Sequence, residues 1–196
     1  MGLRAAVDRV ARRARPFNLS DQGSRTWDER AAAAARLLAS ATEAGRRRPL
    51  RVADVGCGNQ RLRAHLEAVL GAGGLTYQGF DLRPQSEDVV ALDLNETVPG
   101  GEWDAVCTLG VLEYLDDMDG VLDRLASVAP WLVASHVVAD SGAYTRADAL
   151  RLGWKRLPTA AWCTATLTQA GFEVVEHVLM DGGRSGLWVS RPVRRG

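Results

Sequence analysis

Residues 50–62, LRVADVGCGNQRL, constrain the fold of this chain more than any other stretch. A nearly continuous apolar run ends at Val55, a turn with Gly56 and Gly58 follows, and a helical pattern begins at once. A strand that is apolar on both faces suits the interior of a parallel sheet, where helices cover both sides. Parallel neighbours need crossover connections, so strands and helices must alternate along the rest of the chain. They do: LTYQGFD, DVVALDL, WDAVCTLG, WLVASHVV, EVVEHVLM and GLWVSRPV read as six further strands. Between them lie a helix with Leu62, Leu66, Val69 and Leu70 on one face beside His65, then GVLDRLASV, a long loop, and the helix AAWCTATLTQAGF. DGGRS, between the last two strands, suits the turn of an antiparallel hairpin. The expected fold class is α/β, with a doubly wound, mostly parallel seven-stranded sheet and an antiparallel edge hairpin.

Ahead of this block, residues 1–16 are rich in Ala and Arg and read as a short basic helix, followed by the turn-forming PFNLSDQGSR. Thr26 and Glu29 have capping-box spacing, and the alanine-rich helix they would start should stop at Gly45. Residues 1–45 are thus expected to form an N-terminal helical cover, and residues 46–196 the main domain.

At 196 residues and 46% hydrophobic content, the chain suffices for one core. Lys+Arg and Asp+Glu both number 24, a balance that argues against a polyanion binder. The N-terminal arginines read as a solvated helix face, and no nucleic-acid partner is expected. Cys57, Cys107 and Cys163 are odd in number and far apart, which fits neither a disulfide framework nor metal-ligand spacing. The N-terminus lacks the apolar core of a signal peptide, and no apolar run is long enough to span a bilayer. The expectation is a cytoplasmic protein with no metal and no membrane contact.

The glycine turn lets the backbone approach a ligand closely at a helix N-terminus. It is not the GxGxxG of dinucleotide binders, because Arg61 stands where the third glycine would be, nor a P-loop, because no GK[ST] follows. Instead an acid precedes the glycines, in DVGCG from Asp54 to Gly58. With this loop, YQGFD ending at Asp81, ALDL with Asp93 and Leu94, and WDAVCTLGVLEYL, the chain resembles class I S-adenosylmethionine-dependent methyltransferases. The resemblance covers residues 50–191 and implies the Rossmann-like methyltransferase fold, with S-adenosylmethionine as cofactor.

The resemblance also implies roles. Asp54, Gly56, Cys57, Gly58, Asn59 and Gln60 would form the loop around the methionine end. Asp81, with Leu82 after it, would accept hydrogen bonds from both ribose hydroxyls, for which a carboxylate offers two acceptor oxygens and no competing donor. Asp93 would meet the adenine amino group and Leu94 the ring, while Thr108 and Leu109 pass beneath the methionine part. Family members usually have glycine where Gln60 stands; its amide would either donate to the cofactor's carboxylate or crowd the site.

The fourth-strand exit narrows the acceptor. Enzymes that methylate exocyclic amines of bases resemble one another in an Asn/Asp-Pro-Pro-aromatic tetrad, and this chain has CTLG there. A small-molecule or glycan acceptor is therefore expected, under a cover from residues 17–30 that includes Arg25 and Trp27. RADALRLGWKRLPTAAW is more loosely similar to methionine-biosynthesis-protein-like methyltransferases. His136, at the end of the fifth strand, is a candidate base for a hydroxyl acceptor, with Tyr114 opposite; strand phase could equally turn His136 into the packing. A cofactor-binding partner or regulatory protein without transfer activity is the alternative.

Overall fold

The computed structural model describes residues 25–42 and 48–193. The expected basic helix over residues 1–16, the linker behind it and the stop at Gly45 lie outside these. The first described element is helix α1 (Arg25–Thr42). Strand β1 (Leu50–Val55), helix α2 (Arg61–Leu70), β2 (Leu75–Asp81) and β3 (Val89–Ala91) follow. Next come β4 (Ala105–Thr108), a 3-10 turn (Leu112–Tyr114), α3 (Met118–Ala126) and β5 (Leu132–Val137). The chain continues through α4 (Arg146–Arg151), α5 (Ala160–Gln169), β6 (Phe172–Met180) and β7 (Ser185–Pro192).

The strands form one seven-stranded sheet in the order β3-β2-β1-β4-β5-β7-β6. Strands β1 to β5 are parallel, and β7 runs antiparallel to both β5 and β6. The hairpin expected at the edge is there, with its return strand β7 wedged between β5 and β6. From β1 the chain moves outward to β2 and β3, then crosses to β4 on the other side. Such a reversal opens a crevice at the carboxyl ends of β1 and β4, where ligands of this fold class bind.

Strand alternation divides the core between the two faces of the sheet. Ala53, Val55, Val106, Leu132, Ala134 and Trp188 pack against α3 and α5 on one face. Leu50, Val52, Cys107, Val133, Leu187 and Val189 pack against α1 and α2 on the other. The small side chains of Ala31, Ala34 and Ala35 let α1 lie close, and Leu38 fills the remaining space. A buried ion pair, Arg30 Nη2 to Asp181 Oδ2 at 2.9 Å, ties α1 to the β6–β7 turn. Among the described residues, no helix is long and apolar enough to cross a membrane.

Several local expectations change. Leu62 and Leu66 are buried and Leu70 packs against the same cluster, but Val69 is 46% exposed. Thr26 lies within α1, and Glu29 is paired to Arg25 rather than closing a capping box. The strand over DVVALDL is only three residues long, since Asp93 opens a turn by accepting from the backbone N–H of Asn95. The long loop after β5 contains α4, started by a capping box between Thr145 and Asp148.

Candidate functional site

At the carboxyl end of β1, Gly56 takes φ +73° and its N–H bonds to the Phe80 carbonyl at 2.7 Å. A Cβ there would also overlap the Val111 side chain, so only glycine suits the turn. Gly58 takes φ +51° and faces open space, with its N–H donating to Asp81 Oδ2 at 3.0 Å. The other Asp81 oxygen accepts from the Arg83 N–H at 2.8 Å. Two backbone donors thus fix a carboxylate that is 4% exposed, at the lip of the crevice.

Two adjoining cavities open at this edge. The larger, about 300 Å³, runs from the glycine loop to α1 and carries Asp54, Asn59, Arg61, Leu109, Trp27 and Arg30 on its walls. The smaller, about 130 Å³, is mainly apolar, with Leu82, Leu92, Leu94, Val111 and Leu115 around it and Asp93 at its rim. Gly56, Asp81, Gly110 and Tyr114 line both. Gly110, at φ +70°, lies so close under Trp27 that a Cβ would enter the indole ring, and the Arg30 guanidinium stacks 4.4 Å from that ring's centroid. The Tyr114 hydroxyl accepts from Trp154 Nε1 at 3.3 Å.

Asp54 gives the larger cavity its unusual electrostatics. Burial pushes its carboxyl up from 3.8 to about 7; the Tyr77 hydroxyl, donating to Oδ2 at 2.6 Å, opposes this, and the nearby Asp81 charge adds to it. Burial likewise raises the thiols of Cys57 and Cys107, which leaves them as neutral packing groups rather than nucleophiles.

The structure gathers eleven of the fourteen residues singled out above around these cavities: Asp54, Gly56, Cys57, Gly58, Asn59, Asp81, Leu82, Asp93, Leu94, Leu109 and Tyr114. It places three elsewhere. Gln60, held at φ 60° before α2, donates its side-chain amide to Asp88 at 3.1 Å and Ser86 at 3.3 Å, away from the cavity walls. Thr108 is wholly buried in β4. His136 is enclosed between β4 and β7, 0% exposed, with Nδ1 against the Val137 carbonyl at 2.6 Å. The base expected there therefore faces the packing, because β5 is an interior strand covered on both sides. Sequence reasoning brought Trp27 to the cover but not Arg30, Arg61 or Arg83 to the cavity.

No curated protein matches the chain. Among solved structures, it resembles the magnesium protoporphyrin IX methyltransferase of Synechocystis PCC 6803 with bound S-adenosylhomocysteine (18% identity, 96% of this chain and 95% of that one, TM-score 0.62). It also resembles the N-methyltransferase NodS of Bradyrhizobium japonicum WM9 in complex with S-adenosyl-L-homocysteine (17% identity, 96% and 97%, TM-score 0.62). A third, the [4+2]-cyclase SpnF, is similar over 87% of this chain and 85% of its own (16% identity, TM-score 0.64). These likenesses bear on the fold. Residues 25–177 match the family described as Methyltransferase domain, and on that span, with its class I fold, the chain belongs to the methyltransferase-domain family.

Proposed function

We propose that this protein transfers a methyl group from S-adenosylmethionine to a small-molecule or glycan acceptor. The observation that carries the reading is the pair of cavities joined at Asp81. The mainly apolar slot with Asp93 among its lining residues suits an adenine ring, and Asp81, which lines both cavities, suits the ribose diol. The larger cavity suits the methionine end and leaves room for an acceptor against Trp27 and Tyr114. The open space at Gly58 fits the group, since no side chain competes for it.

When bound, the cofactor supplies an activated methyl on its sulfonium, and the chain's own residues supply binding and orientation. Displacement needs the acceptor atom in line with that methyl, so most of the rate gain here comes from positioning. Trp27, seated over Gly110, narrows the cavity from the cover side. Tyr114, oriented by Trp154, is the group best placed to hold the acceptor or receive its proton.

One structural neighbour is a cyclase, so the fold alone does not require methyl transfer. The second reading is a cofactor-binding protein without transfer activity. Formation of S-adenosylhomocysteine from S-adenosylmethionine, followed over a panel of hydroxylated, aminated and glycosylated small molecules, separates the two. Acceptor-dependent turnover supports transfer; cofactor binding with no turnover on any acceptor favours the second reading.

A further inference from the structure

The start of α1 is fixed through three neighbouring side chains. Trp27 and Arg30 line the larger cavity, with the Trp27 ring against Gly110 and the Arg30 guanidinium stacked on that ring. Asp28, between them, turns to α2, where its Oδ1 lies 3.0 Å from His65 Nε2 and 3.7 Å from Arg61 Nη1. Farther along, α1 is anchored by packing, since Ala33, Ala34, Ala35 and Leu38 are buried in the core shared with the sheet. The first turn has little of this: Arg25, Thr26, Asp28 and Glu29 are exposed, and the Arg25–Glu29 pair stays within the helix. On the α2 side, the hold on Trp27 therefore runs through the next residue, Asp28.

The two groups facing Asp28 differ in kind. Arg61 is always charged, whereas an imidazole changes its charge between about pH 5 and 8. With His65 protonated, Asp28 accepts a charge-assisted bond between two positive groups; with His65 neutral, an ordinary hydrogen bond and Arg61 remain. Arg61 is on the same helix as His65, so it repels that proton whether the cover is seated or lifted. The difference between those two states is set by Asp28, and among the described residues no other ion pair reaches His65. The seated cover thus binds the proton more tightly than the lifted one, and by linkage acid seats it.

We propose that Asp28 and His65 form a proton-sensitive latch that regulates how firmly Trp27 closes the larger cavity. The latch tightens below neutrality and slackens as the pH rises, and Arg61 keeps the release partial. It governs access to the cavity, whatever the cavity binds.

Hydrogen–deuterium exchange of the full chain at about pH 5.5 and about pH 8, each rate divided by the intrinsic rate at that pH, reads the latch without any ligand. The amides of residues 29–32 bond to the carbonyls of the first turn of α1, so their protection reports whether that turn is seated. In the wild type this protection should be about twofold to fivefold lower at the higher pH, the size expected of one part-exposed ion pair, while residues 35–38 keep theirs. His65→Gln, which retains a neutral donor, should show the wild type's alkaline level at both pH values, and Asp28→Asn should also lose the difference. Asp54, on the cavity wall, titrates in the same range, but a difference that it caused would persist in both variants. Equal protection of the wild type at the two pH values, or a difference that survives in either variant, overturns the latch.

Discussion

Replacing Asp54 with Asn removes a buried carboxyl that titrates near neutrality, and the consequence for stability has a definite sign. In the folded chain this carboxyl sits at about 7, against 3.8 when unfolded. Between those values the folded state holds a proton that the unfolded state has released. Its contribution is fully present below the unfolded value and is lost as pH rises through 7. Going from about pH 5 to about pH 7, at about 1.4 kcal/mol per unit and with the folded carboxyl half-titrated at the upper end, the wild type should lose about 2 kcal/mol relative to Asp54→Asn. Desolvation is the main cause of the shift, and the amide still accepts from Tyr77, so the variant should fold. Urea denaturation of both proteins at a series of pH values reads the difference, and titrations common to both cancel. A stability gap that stays constant across this range would refute the reasoning.

Three other substitutions follow from the same geometry. Gln60→Gly relieves a left-handed residue and breaks its bonds to Asp88 and Ser86, so S-adenosylhomocysteine affinity measured by calorimetry should stay within about twofold while stability moves by less than about 1 kcal/mol. Gly110→Ala drives a methyl group into the Trp27 ring at a positive φ; thermal denaturation should show a loss of roughly 1–3 kcal/mol, with weaker cofactor binding. Arg30→Ala strands Asp181 without its buried partner, and urea denaturation should register a loss of about 3–5 kcal/mol.

The glycine loop and its acids were legible because their chemistry is local. A positive-φ turn demands Gly56 and Gly58, and a strand-end carboxylate such as Asp81 stands out beside them. The seven strands were legible from apolar runs and turns, and the reversed β7 from its short hairpin. Arg30 was not, because nothing local sets it apart from Arg25 and Arg36 in the same alanine-rich helix. Its meaning lies in Asp181, 151 residues away. Helix α4 did leave a signal, Thr145-x-x-Asp148, but its six residues are too few for a periodic pattern. The inward turn of His136 depends on strand phase, which an interior strand buried on both faces does not reveal. Gln60 misled through the glycine pattern: the backbone keeps the left-handed conformation that glycine would supply, while the side chain leaves the site for Asp88.

The central claim is that Asp81 holds the ribose of S-adenosylmethionine at the junction of the two cavities. Calorimetric titration of S-adenosylhomocysteine into wild type and Asp81→Asn tests it most directly, with denaturation midpoints confirming that the variant is folded. The wild type should bind, and the variant should lose roughly 2–4 kcal/mol of affinity, the worth of two charge-assisted hydrogen bonds. Equal affinity in a folded Asp81→Asn variant would contradict the account.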